Sequence, residues 1–591
     1  MVLKTIQFIG SAYTLPALQL DAQSCVNWYP TFDSEGKAPK ALLPRAGLKL
    51  FADDINENHC RGALATKSQK AYVVIDNSFY IYNSNGTRIK KGTLNTSSGR
   101  VKIIANDYQI GIFDGLYGYV YQVIESETRS ADIFFQIKNS SSTIEDPIFY
   151  GTGLNDLTAS GFYTGDISGT YRVQIDGVGS PNTFKWSDDN GITWQATNIA
   201  ITGLNQKLNK GVSIAFINVT AHTLNDYWNI PVIIDSSFYP PIIPACQEGF
   251  GIYIRQNSNR MYSTYLNDFS EIDPLAYAEA NIYQDNSVGA ISVQQELYIL
   301  KELTTEVWNY TGIEGFPFQP RANFVINYGC AAPYSATVGS FNVLFMVARN
   351  KDGARKIVKI ENYSGEVISN EPLEAELATY DTVSDAYTEI VEKNEHVFVI
   401  FTFPIADKTW VFDYKTKNWF SWASYAQNEL PYQNQYRIGA FRGSSHFLLN
   451  DKDIFGDSRT GKLFEFTNNS FRDFDYPILF ERVSQHLYAD DNYITINSLM
   501  VDVQRAPNTD TTDSTLGAPT IPPQIGLQIS RDGGMTWGSE IYATSGKVGE
   551  YAHRAFWSTL GTARVFTFKI RITDSAYNVI INAVADVEVS N

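Results

Sequence analysis

Two octets of one pattern, Ser187-x-Asp189-x-Gly191-x-Thr193-Trp194 and Ser530-x-Asp532-x-Gly534-x-Thr536-Trp537, stand out among the residues that could do chemistry. The Asp carboxylate suits turn amides as an acceptor, the Gly supplies a positive φ, and the Thr and Trp restart a strand with the indole under the turn. Each octet is expected to be a tight hairpin. Carboxylates offer a second chemistry: Glu302 with Glu306, and Glu371 with Glu374 and Glu376, have spacings that an acid and base pair could use. Both groups lie in polar stretches that read as loops, where a solvated face is the simpler account. Asp451, Asp453 and Asp457 alternate like calcium ligands, yet no Gly stands sixth and no Glu closes the loop, so a plain connecting turn is expected. His59, His222, His396, His446, His486 and His553 show neither H-E-x-x-H spacing nor a local Ser or Cys partner. The sequence also has no Gly-rich phosphate loop. No metal site, cofactor or catalytic group is therefore expected.

The octets resemble the Asp-box of sialidase propellers. Sialidase chemistry needs arginines around a carboxylate, a Tyr nucleophile activated by Glu, and an Asp acid. Tyr436-Arg437-Ile438-Gly439 is the nearest match to the start signal that supplies the first Arg; it lacks Pro and lies late in the chain. The octets are accordingly read as structural turns.

Bulk properties say what holds such turns. At 591 residues the chain exceeds one core, and about 150 residues per domain allows three or four units. Charged residues make up only 18% and aromatics 14%, with 36 Tyr and 35 Phe, which favours strands over helices. The net charge of −17 argues against a stable grip on a phosphate backbone, although DNA could pass a negative wall transiently. Cys25, Cys60, Cys246 and Cys330 are scattered without C-x-x-C spacing, so buried reduced thiols are expected. Gly10, Ser11 and Pro16 interrupt the first twenty residues, so a signal peptide is not expected. No apolar run approaches about 18 residues, so no transmembrane segment is expected either.

Short apolar strand pairs recur along the chain. Tyr72-Val73-Val74-Ile75 is followed across Asp76-Asn77 by Phe79-Tyr80-Ile81-Tyr82, and similar pairs begin near Gln109, Phe250, Leu297, Val343, His396 and His446. Their spacing of roughly 45 residues is that of β-propeller blades of about four strands. The expected fold is all-β, a propeller of six or seven blades. The gap from Gln109 to Phe250 is about three periods long and carries its own strand signals, so residues 136–236 are expected to be an inserted β-sandwich. Residues 1–50 read as an N-terminal arm with first strands, 51–135 and 237–474 as the two parts of the propeller, and 475–591 as a C-terminal β-sandwich-like domain. Phe566, Phe568, Ile570 and Ile572 alternate there as in a half-buried strand, and 506–524 reads as a long exposed loop. In the insert, Tyr163, Tyr171, Trp186, Trp194, Tyr227 and Trp228 could form an aromatic platform, of which Tyr163, Trp186, Trp194 and Trp228 are the candidate recognition residues. Burial in a core is the default for such rings.

Three runs carry a family resemblance: Leu303–Ser335 ("LTTEVWNYTGIEGFPFQPRANFVINYGCAAPYS"), Phe401–Trp422 ("FTFPIADKTWVFDYKTKNWFSW") and Ile529–Arg564. With "DAQSCVNWYPTF" (Asp21–Phe32) and "LLPRAGLKLF" (Leu42–Phe51), they resemble the packaged-DNA stabilisation, or tail hub, proteins of short-tailed bacteriophages. The resemblance covers most of the chain outside the insert. It implies a non-enzymatic virion protein, assembled in the host cytoplasm into a homo-oligomeric ring, usually of six copies. That ring would lie below the portal and its adaptor, prolong the DNA channel, help retain the packaged genome, and dock tail fibres, spikes or needle proteins. The alternative is a carbohydrate-binding or glycan-degrading tail component.

Overall fold

The computed structural model describes residues 2–590 apart from 33–39, 54–58, 126–129, 138–140, 162, 164, 166–167, 236–237, 350–352, 426–437, 491, 510–522, 547–549 and 551–552. The Tyr436-Arg437 pair and most of the expected loop at 506–524 thus lie outside the described residues. The chain divides into one unit of Met1–Gln136, Pro240–Phe269 and Ala276–Asn591 and a second of Ile137–Tyr239 with Ser270–Leu275.

The first unit is built from hairpins. Ala71–Ile75 and Ser78–Tyr82 are buried along their whole length and pair in register, Val74 opposite Phe79, across a two-residue turn in which Asp76 takes φ 51°. Short polar side chains tolerate that left-handed conformation, and Asn267, Asn342, Asn394 and Asn450 do the same in later turns. The continuous apolar runs follow from burial on both faces, since each sheet lies between two others.

Among the described residues seven such sheets follow one another. Five are separate: Cys60–Ala65 to Arg88–Thr93, Lys102–Ala105 to Ser130–Gln136, Ala245–Gln247 to Asp268–Glu279, Ser287–Val293 to Phe318–Ile326, and Gly329–Cys330 to Ser364–Val367. The sixth runs from Tyr387–Lys393 to Asn418–Ser421, and the seventh holds Gly443–Leu449, Lys452–Asp457 and Leu463–Thr467. Each blade packs on the next through its inner strands, and Gly443–Leu449 of the seventh packs on Cys60–Ala65 of the first. The ring therefore closes as a seven-bladed propeller. Its last blade borrows the N-terminal strand Gly47–Ala52, which pairs with Leu463–Thr467.

The sixth blade does not end at its own edge. Asn418–Ser421 meets Cys25–Val26 in parallel at Val26 and Ser421, and the sheet continues through Phe480–Val483, Val565–Ile572, Gln524–Ser530 and Ile541–Thr544. A second sheet of Trp28–Phe32, Lys40–Pro44, Ala576–Ser590, Tyr493–Thr509 and Arg554–Ala563, with Val2–Thr5 on Ala576–Ser590, completes a β-sandwich. One hydrophobic core includes Trp28, Tyr29, Phe398, Trp422, Phe480, Ile494 and Phe566, so the sandwich and the last two blades have no seam between them. The N-terminal stretch expected as an arm is absorbed into both, because its alternating residues need a covered sheet on each side.

The second unit is a small sandwich. One sheet has the order Ser141–Ile144, Tyr227–Asp235, Gly169–Gly177, Thr183–Ser187 and Ala196–Ala200, with Ile148–Tyr150 also on Tyr227–Asp235; the other holds Leu157–Gly161, Val212–Phe216 and Gln206–Lys207. Val173, Ile175, Phe184, Ile214, Phe216, Trp228 and Ile230 fill the space between them.

Candidate functional site

Both octets form the expected turns with the same wiring. Ser530 Oγ donates to Asp532 Oδ1 at 2.6 Å and accepts the Gly534 amide at 2.8 Å, while the Thr536 amide donates to Asp532 Oδ1 at 2.9 Å. In the module Ser187 Oγ accepts the Gly191 amide at 2.9 Å, and Asp189 accepts the Thr193 amide at 2.8 Å. Gly191 and Gly534 take φ 87° and 90°, which an L side chain would strain. Bonds from Ser187 and Ser530 first, then from Thr193 and Thr536, hold the Asp189 and Asp532 carboxyls at about 2. These carboxylates are turn acceptors with their lone pairs engaged, which fits a staple better than an acid or base.

The two N-terminal motifs converge on one buried centre. Asn27 of "CVNWYP" sits at φ 60° and donates to the carbonyls of Ala423 and Leu479 at 3.0 and 2.7 Å. Its Oδ1 accepts from Arg45 Nε of "LLPRAG" at 2.7 Å. Arg45 then makes a two-point contact with Asp473, Nη1 to Oδ1 at 2.9 Å and Nη2 to Oδ2 at 2.6 Å, and lies 5.0 Å from the Phe441 ring centre. Both partners are shielded from water, so the pair is strongly coupled and every donor is directed. Nearby, Arg482 ties the chain's first residues to the sandwich by donating to the carbonyls of Phe8, Ser11 and Ser24 and to Gln23 Oε1. Arg442 and Asp457 form a further buried pair at 2.6 Å.

The carboxylate groups singled out above fare differently from expectation. Glu306 is fully buried, with Lys301 Nζ at 3.1 Å from its Oε1 and the Trp308 indole N–H donating to its Oε2 at 3.2 Å. Lys301 also contacts Asp285 Oδ1 at 3.0 Å and donates to the carbonyls of Ala280 and Tyr283. The solvated-face reading is thus wrong for Glu306: Val307 and Leu300 beside it are core, and the cation arrives from the next strand. Glu371, Glu374 and Glu376 lie on an α-helix, Glu371–Thr379, started by Asn370 accepting the Leu373 amide and by Pro372 in its first turn, where a loop was expected. Asp451, Asp453 and Asp457 do not converge on one point. Asp453 contacts Lys393 and His446, and Asp457 binds Arg442. Among the described residues no group of His, Cys, Asp or Glu is arranged to hold a metal.

The platform aromatics are also corrected. Tyr163, Trp186 and Trp228 lie inside the module's core and offer no face to a ligand; Trp194 is half-buried. Strand alternation decides this, because Trp186 and Trp228 face the second sheet while their neighbours Lys185 and Tyr227 face outward. Cavities open among the described residues of the propeller. One of about 1100 Å³ is lined by inner-strand residues including Lys102, Ile104, Ala245, Cys246, Ala290 and Ile291. Another, about 320 Å³, lies where the first, sixth and seventh blades meet and includes Arg61, Arg100, Tyr387 and Arg459. Arg61 directs its guanidinium to the carbonyls of Asp76, Thr96, Ser98 and Gly99, a role the sequence does not signal.

Solved structures that match in part include a catalytically inactive virginiamycin B lyase from Staphylococcus aureus with quinupristin (11% identity, 71% of this chain and 98% of that one, TM-score 0.34). The Pan2 WD40 domain from Neurospora crassa matches at 6% identity over 72% and 97% of the two chains (TM-score 0.34), and apo AztD from Citrobacter koseri at 10% over 68% and 92% (TM-score 0.29). No curated protein matches. Residues 243–470 match the family described as Bacteriophage P22 Gp10, beta-propeller, and residues 479–588 match Bacteriophage P22 Gp10, beta-sandwich. Propeller and sandwich occur in the order the sheets show, the two matches take in more than half of the residues, and the chain belongs to the P22 Gp10 family of phage tail structural proteins.

Proposed function

We propose that the chain is one subunit of a homo-oligomeric tail hub ring, of about six copies, that prolongs the DNA channel below portal and adaptor. It helps retain the packaged genome and offers its outside to tail fibres, spikes or needle proteins. The observation that carries this reading is the continuous sheet from the sixth blade into the sandwich, with one core beneath it. A subunit of that kind resists bending at the domain junction, which suits a wall under pressure from packaged DNA. The net charge of −17 supports a channel past which phosphate slides without sticking. Electron microscopy of the purified protein and of virions tests it: a symmetric ring is expected, and a monomer that turns over glycans would overturn it. Removing residues 136–236 should leave that ring intact.

A further inference from the structure

The outward face of the module's larger sheet carries a strip that its buried core does not need. In one cross-strand row Tyr150, Tyr227, Gln174 and Lys185 stand opposite one another, and in the next stand Ile148, Asn229 and Arg172. Three inter-strand steps of about 4.8 Å make the first row roughly 14 Å long. Tyr150 and Tyr227 stack with ring centres 4.9 Å apart, and Tyr150 is 45% exposed. Arg172 lies 4.5 Å over the Tyr227 ring, and Lys185 lies 4.1 Å over Trp194.

The Asp-box organises this strip. A Cβ on Gly191 would meet Arg172 Nη1 at 2.9 Å, so only glycine leaves the guanidinium its place, and Asn190 Oδ1 accepts from Arg172 Nη2 at 2.8 Å. The same turn presents Trp194 beneath Lys185. Among the described residues neither Arg172 nor Lys185 forms an ion pair, although the chain as a whole carries −17. Asp176, at the end of the strand, already accepts from Thr183 Oγ1 and the Asn198 amide.

We propose that this face binds an anionic surface glycan of the host bacterium. The exposed Tyr150 ring, held by its stack on Tyr227, takes the apolar face of a sugar ring, Gln174 and Asn229 take hydroxyls, and Arg172 and Lys185, seated over Tyr227 and Trp194, take carboxylate or phosphate groups. Unpaired cations beside stacked rings on a net-negative chain single out an anionic glycan over a neutral one.

The test uses the full-length protein and polysaccharide extracted from the bacterium on which the phage plates, divided by ion exchange into anionic and neutral fractions. Biolayer interferometry should show binding of the anionic fraction, weakened by salt. The Tyr150→Ala/Lys185→Gln variant should bind about tenfold more weakly at an unchanged melting temperature. Tyr488→Ala, at an exposed tyrosine of the other unit, should bind as the parent does. Equal binding of the neutral fraction, no binding of either fraction, or parental affinity in the double variant would each overturn the proposal. Ring symmetry in micrographs is read separately, so the hub reading stands or falls on its own.

Discussion

Lys569 Nζ lies 4.1 Å from the centre of the Trp537 ring, and Lys185 Nζ lies the same 4.1 Å from Trp194. Lys185 belongs to the strand that leads into its own Asp-box, whereas Lys569 comes from the neighbouring strand, opposite Gln528. Two different strands thus deliver one cation to one place over the indole. The contact belongs to the turn's geometry and is not written in the octet itself. Both turns are closed units, capped by a cation and tied by a carboxylate.

That carboxylate sets an acid response. Its folded pKa of about 2, at Asp189 and Asp532, lies below an ordinary value of about 3.9. A depressed carboxyl stabilises the fold fully above the ordinary value, and the contribution is lost as pH falls through the folded one. Asp189→Asn/Asp532→Asn should melt below the parent at pH 6. The gap should narrow from about pH 4 downward and vanish only below about pH 2. Differential scanning calorimetry across that range checks it; a gap independent of pH would show that the charge is immaterial.

Arg45→Met should be among the costliest single changes in the chain. It leaves the Asp473 carboxylate buried without its counter-charge, with Ser424 Oγ as a remaining donor, and takes one of two donors from Asn27 Oδ1 and from the Ala423 carbonyl. Breaking one side of a buried pair costs about 3–5 kcal/mol, whereas replacing both sides by apolar groups is far milder. Arg45→Met/Asp473→Leu should therefore recover much of the loss in guanidinium unfolding. A double variant as unstable as the single one would refute the pairing as the cause.

Gly47→Ala tests closure of the propeller. An added Cβ would meet the carbonyl oxygens of Ser470 and Arg472 at 2.5 and 2.6 Å, both backbone atoms that cannot swing aside. A cost of about 1–3 kcal/mol is expected from the overpacking. Hydrogen exchange should quicken first at Gly47–Ala52 and Leu463–Thr467, the pair that joins N-terminal strand to seventh blade. Exchange spread evenly over all blades would mean that this pairing is not the latch.

The thiols should be silent in the folded protein. Burial pushes Cys60 and Cys330 up to about 12 and Cys246 to about 11, and it raises Cys25 as well. Since the thiolate is the nucleophile, a chromogenic thiol reagent at pH 8 should react slowly, with half-buried Cys246 first. All four should react at once after unfolding. Rapid reaction of Cys60 in the native protein would contradict its burial.

How far the fold was legible can be judged from particular residues. The hairpin of Val74 and Phe79 is readable because its turn, Asp76-Asn77, and its apolar strands are contiguous. Glu306 was misread because Glu302, Thr304 and Thr305 before it are polar, while the Lys301 that neutralises it is placed by strand pairing. Trp186 and Trp228, for which burial was the default and recognition the alternative, needed the structure for a related reason: alternation tells which residues share a face, and nothing local tells which face another sheet will cover. Tyr150, the most exposed ring of the proposed binding strip, carries no motif and becomes visible only once it stacks on Tyr227.

From the residues alone came the all-β class, the blade rhythm, the Asp-box turns and the kinship with phage tail hubs. The first three rest on turn chemistry and period-two patterns within a few residues of sequence, and the kinship rests on the resemblance of particular runs such as Leu303–Ser335 and Phe401–Trp422 to that family. Only the tertiary structure decided that Gly47–Ala52 closes the seventh blade, that Cys25–Val26 bridges propeller to sandwich, and that Arg45, held by Asn27, meets Asp473 more than four hundred positions away. Those pairings depend on which edges and faces remain uncovered after the local hairpins form, and that is a property of the assembled sheets.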